Sequence, residues 1–73
     1  PTYILTAIPG EMEDPAKNFQ VISKCANIDS LTLITNYEKF YRGRFVASRL
    51  AKDLTFDQLS RLEEHKTELT GVN

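Results

Sequence analysis

Cys25 is the only cysteine in this chain and His65 the only histidine. One thiol cannot form an internal disulfide, and one thiol with one imidazole falls short of the four ligands of a structural zinc site. The fold must therefore be held by its apolar core alone or by association with a second copy. For 73 residues that is a demanding condition, because a chain of this size buries only about three fifths of the surface its unfolded form exposes. With 41% hydrophobic and 26% charged residues, the composition suits one packed domain, residues 1–73, rather than a disordered segment. No apolar run approaches the roughly 20 residues of a bilayer span, so no membrane partner is expected. The lone thiol and the lack of a charged-then-apolar leader fit a reducing, cytoplasmic setting.

A formal net charge of -1 argues against a protein built mainly to coat nucleic acid. The charge is nevertheless patterned. Residues 1–37 carry Glu11, Glu13, Asp14 and Asp29 against Lys17 and Lys24, giving -2. Residues 55–73 carry Asp57, Glu63, Glu64 and Glu68 against Arg61 and Lys66, again -2. Between them, Lys39, Arg42, Arg44, Arg49 and Lys52 against Glu38 and Asp53 give +3.

Thr2 to Ile8 is rich in β-branched and aromatic residues and stops at Pro9-Gly10, which reads as a strand ending in a turn. Both of its faces are apolar, Tyr3, Leu5 and Ala7 on one side and Ile4 and Ile8 on the other, as for a strand covered on both sides. Asp14-Pro15 is a helix start, followed by Phe19, Ile22 and Ala26 at helical spacing, with Val21, Cys25 and Ile28 widening the stripe. Ser30 to Thr35 reads as a second strand, and Thr35 or Asn36 can cap a helix from Tyr37 to about Asp53. Thr55-Phe-Asp-Gln58 matches a capping box and opens a last helix ending near Gly71.

The expected fold is therefore α+β, a small β-α-β-α-α domain with a two-stranded parallel sheet, its edges extended by homodimerisation. The alternative places residues 19–25 in a strand and gives a three-stranded meander followed by two helices.

On a helix over 37–53, Phe40, Ala47, Leu50, Ala51 and Leu54 share the core arc, and Arg42, Arg49 and Lys52 with Tyr41 and Phe45 share the opposite one. Interleaved cations and rings suit hot spots against an acidic protein groove, or phosphate neutralisation with base stacking. In a competing reading Tyr41 and Phe45 pack beneath the last helix, whose stripe is Phe56, Leu59, Leu62 and Leu69, and the arginines are ordinary solvated charges.

Signals for chemistry are sparse. Cys25 lies on an apolar stripe and reads as a small buried hydrophobe. His65 has Glu64 and Glu68 near it in sequence, but no nucleophile is placed by spacing to use it. No catalytic residue, cofactor or metal ligand is expected. Leu50 to Glu63 faintly resembles a helix-turn-helix DNA reader, although no glycine stands in the turn and Asp57, Glu63 and Glu64 would repel phosphates. Pro1 ahead of a strand, a helix and a parallel strand resembles the tautomerase superfamily, and that resemblance implies Pro1 as a general base. Glu11 stands where that family tends to place a substrate-binding arginine, and two long helices after the second strand are foreign to it.

The leading expectation is a non-enzymatic interaction or regulatory protein that binds a protein partner through Tyr41, Arg42, Phe45, Arg49 and Lys52. A nucleic-acid module using the same arc is the alternative, and a Pro1-dependent enzyme the third reading.

Overall fold

A computed structural model of the chain describes all residues from Pro1 to Asn73. The elements are β1 (Tyr3–Ala7), α1 (Pro15–Ala26), α2 (Ser30–Phe40), β2 (Ser48–Leu54) and α3 (Phe56–Glu63), with single 3-10 turns at Pro9–Glu11 and Lys66–Glu68. The order is β-α-α-β-α, still an α+β domain, and no helix is long and apolar enough to cross a membrane.

Local chemistry explains α1. The Asp14 carboxylate accepts from the Lys17 N–H at 3.2 Å and Pro15 sits in the first turn, so one orphan donor is satisfied and another is absent. Residues 19–25 are helical, which rules out the three-stranded meander. Asn27 ends the helix in the left-handed region at φ 55°, a conformation its short polar side chain tolerates. Two residues later the Asp29 carboxylate accepts from the Thr32 N–H at 3.2 Å and starts α2. Ser30 to Thr35 is thus helical and not the expected strand. A capped start following a tight turn overrides the modest β preference of Thr32, Ile34 and Thr35, with Leu33 fully buried as the helix's anchor.

The expected helix over 37–53 is also absent. α2 stops at Phe40, Tyr41 is extended, and Gly43 adopts φ 144°, which side-chain-bearing residues rarely adopt. Residues 48–54 form a strand instead. Its buried positions are Ser48, Leu50, Ala51 and Leu54, because the pairing with β1 slips twice: Tyr3 faces Leu54, Leu5 faces Ala51, and Thr6 faces Arg49. Each slip inserts an extra β2 residue and resets the alternation, and Asp53 takes a positive φ of 58° at one of them.

The sheet is antiparallel, not parallel. Two helices lie between the strands, so the chain reverses once more than in a single-helix crossover. One edge of this sheet is occupied by the chain's own last residues. Along the far side of β1, Thr6 and Asn73 exchange backbone bonds at 3.0 and 2.8 Å, and the Ile8 N–H donates to the Gly71 carbonyl at 2.8 Å. The Asn36 amide of α2 donates to the Leu50 carbonyl of β2 at 2.9 Å.

Twelve buried hydrophobic residues form one core, from Leu5 and Ala7 through Phe19, Ile22 and Ala26 to Leu33, Leu50, Leu54, Leu62 and Leu69. The helices cover one face of the sheet only, so Ile4 is 59% exposed rather than buried. Phe40 is half-buried and Ala47 exposed, so of the expected core arc only Leu50, Ala51 and Leu54 are interior. The capping box at Thr55 is present: Gln58 N–H donates to the Thr55 hydroxyl at 3.2 Å and Thr55 N–H to the Gln58 side chain at 2.8 Å. The Gln58 amide also donates to the Ala26 carbonyl at 2.8 Å, tying the start of α3 to the end of α1. α3 ends at Glu63 rather than near Gly71, and Phe56 points outward at its first turn.

Candidate binding loop

With no helix over 37–53, its basic-aromatic arc does not exist as a helix face. Three of the five residues, Tyr41, Arg42 and Phe45, fall in the loop between α2 and β2, while Arg49 and Lys52 fall on β2. The loop's base is built from the end of α2, whose last carbonyls need partners. The Ser48 hydroxyl donates to the Tyr37 carbonyl at 2.9 Å, and the Arg42 guanidinium donates to the Lys39 and Tyr41 carbonyls at 3.3 and 3.0 Å. Arg42 is therefore partly committed to closing the helix, where a cation also complements the helix dipole.

An edge-to-face series links this base to the core. The Phe19 and Tyr37 ring centroids lie 5.3 Å apart, and those of Tyr37 and Tyr41 5.9 Å. Burial, with a smaller contribution from Tyr41, pushes the Tyr37 phenol above its ordinary pKa. Arg49 lies 4.3 Å from the centroid of the half-buried Phe40 ring, with Lys39 at 5.3 Å on the same ring.

At the tip, Val46 N–H donates to the Gly43 carbonyl at 3.4 Å, placing Arg44 and Phe45 at the two central positions of a turn. Gly10, in the turn after β1, pins this tip: its N–H donates to the Arg44 carbonyl at 2.6 Å. A side chain on Gly10 would meet the Phe45 ring at 2.8 Å and that same carbonyl oxygen at 2.9 Å, so glycine permits the close approach. Despite this anchoring, Phe45 is 73% exposed, Val46 49% and Tyr41 42%. They are not sealed beneath the carboxy-terminal segment, because α3 packs against α1.

Arg44 and Val46 belong to the loop and were not among the residues expected from the sequence. The available signal was the run Tyr41-Arg-Gly-Arg-Phe-Val46, with a glycine at its centre, which suits a turn better than a helix interior. Lys52 is not part of the cluster. It lines a separate groove with Ile28, Thr32, Asn36 and Gln58.

Electrostatically the loop is open. The ion pairs of the molecule are Arg61 with Asp57 at 3.2 Å and His65 with Glu68 at 2.7 Å. None of Lys39, Arg42, Arg44, Arg49 or Lys52 has a carboxylate partner.

A second constellation lies between α1 and the carboxy-terminal turns. Val21, Lys24, Cys25, Arg61, Glu64, His65 and Glu68 line an open cleft of about 490 Å³. Sequence spacing did not bring Cys25 and His65 together; the packing of α3 on α1 does. The thiol is held in its protonated form, its pKa raised by burial and then by the Glu68 and Glu64 carboxylates, with Arg61 opposing them. The imidazole is engaged by Glu68, and no group of three such side chains is arranged to hold a metal ion.

The two family resemblances lose their structural basis. Residues 48–54 are a strand, so Leu50 to Glu63 holds no helix-turn-helix. Pro1 is exposed ahead of an antiparallel strand and lines none of the clefts, so the order of elements behind the tautomerase resemblance is not met. No protein-family model matches the chain, and no curated protein matches it.

Proposed function

We propose that the protein is a non-enzymatic interaction or regulatory module that binds another protein through the Tyr41–Val46 loop, with Arg49 at its margin. One observation carries this reading: Arg44, Phe45 and Val46 are presented to solvent on a turn whose backbone is already fixed by Gly10. A large exposed apolar side chain is ordinary when isolated, but two in succession beside an unpaired arginine make the composition of an interface anchor. Because the backbone is held, little conformational entropy is lost on docking, which raises affinity for a given contact area. The residues carried over from the sequence divide accordingly. Tyr41 and Phe45 supply apolar contact, Arg42 and Arg49 shape the loop while leaving charge at its rim, and Lys52 lies outside.

A photo-crosslinking amino acid in place of Phe45, compared with one in place of the exposed Gln20 on α1, tests this in native extract. The expected result is one protein joined repeatedly at position 45, absent at position 20 and lost when Arg44→Glu is added. Crosslinks chiefly to nucleic acid would favour the alternative partner class, and no crosslink above the position-20 control would remove the loop as a site.

A further inference from the structure

We infer that the part of the partner seated on this loop is a short, extended acidic peptide segment carrying an apolar anchor residue, rather than a broad anionic surface. This rests on the protein-binding reading above and specifies its partner chemistry.

The charges on the loop are not equivalent. The Arg42 guanidinium donates to two carbonyls at the end of α2, while Arg49 and Lys39 lie against the Phe40 ring. Arg44 is the one loop arginine with no hydrogen bond to a helix end, and its guanidinium carbon lies 5.7 Å from the Phe45 ring centroid. The sharpest attraction for an anion is therefore at Arg44, with the others as a weaker collar. A carboxylate there would meet the guanidinium beside the exposed ring and beside Val46, so the ligand that fits best pairs an acid with a neighbouring apolar side chain.

The surroundings limit the width of the ligand. Gly10 touches the tip and is followed directly by Glu11, then Glu13 and Asp14, all exposed. A duplex or an anionic bilayer pressed on the tip would bring fixed negative charge toward those carboxylates as well, and like charges brought together oppose docking. A single extended segment can cross Arg44 and Phe45 while its flanks stay clear. Val46 favours the same choice, since a base stacks on a ring but gains little from an aliphatic side chain.

The test follows backbone amide shifts of the isotope-labelled protein during titration with a random glutamate-tyrosine copolymer, polyglutamate, oligothymidylate and phosphatidylserine vesicles. The copolymer should shift Gly10 and residues 43–46 selectively, with affinity falling about tenfold or more when salt is raised from roughly 50 to 300 mM. Polyglutamate, lacking the anchor, should bind at least about tenfold more weakly. Arg44→Glu should abolish the loop shifts while leaving the rest of the spectrum in place. Stronger loop shifts with oligothymidylate or vesicles than with the copolymer would overturn the inference, as would none with the copolymer. If the copolymer fails while the position-45 crosslink to one protein holds, the narrow acidic segment is wrong and the protein-binding reading stands.

Discussion

Ser48→Ala isolates the hydroxyl that closes the loop. Ser48 is 0% exposed and its Oγ donates to the Tyr37 carbonyl, one of the last acceptors of α2. Alanine keeps the β-carbon and removes one oxygen, so the packing defect is minor and the void is too small to admit a water molecule. The effect is then the loss of a buried hydrogen bond with its acceptor left unpaired, about 1–2 kcal/mol. A domain of 73 residues has a total stability of roughly 4–11 kcal/mol, so the substitution removes a sizeable share. The melting temperature should fall by roughly 5–15 °C. Urea unfolding followed by far-UV circular dichroism measures it directly: the midpoint should move to lower urea with an unchanged slope, since native and unfolded surfaces are the same. Hydrogen exchange should quicken across residues 41–47, which are strung between Tyr37 and Ser48. A change below about 0.5 kcal/mol, within the range of an ordinary surface substitution, would refute the assignment of this hydroxyl as the closing bond.

Thr55→Ala should cost about 1 kcal/mol in the same unfolding assay, because the Gln58 N–H loses its acceptor at the start of α3. Cys25 should react with iodoacetamide at pH 8 more slowly than a free thiol, since its raised pKa leaves less thiolate at any given pH. Glu64→Gln with Glu68→Gln should speed that reaction, and an unchanged rate would mean the carboxylates do not reach the thiol.

Where local chemistry decides conformation, the sequence is legible. Pro9-Gly10 ends β1, Asp14-Pro15 starts α1, and Thr55 with Gln58 starts α3. The middle of the chain was not readable, for two physical reasons. Ser30 to Thr35 has the composition of a strand, and the outcome turned on Asn27 ending one helix so that Asp29 could cap the next. In β2 the two register slips leave Ser48, Leu50, Ala51 and Leu54 buried, so that Leu50, Ala51 and Leu54, with Ala47 before them, imitate the spacing of a helix. For the candidate site, the residue types were apparent and their arrangement was not. Phe45 sits at the tip of a turn with Arg44 while Tyr41 packs against Tyr37 at the loop's base, an arrangement no helical projection contains, and Lys52 was grouped with them only by that projection.

β1 lies between two distant parts of its own chain, with Ala7 opposite Ser48 on one side and Val72 on the other. β1 therefore gains no backbone partner until β2, which follows both α1 and α2, has been made. Closing such long intervals is entropically slow, so α1 and α2 should form their hairpin early and the sheet should assemble last. During that interval Ile4 and its neighbours form an uncovered β-prone stretch, and this is the stage at which newly made chains would be most prone to aggregate.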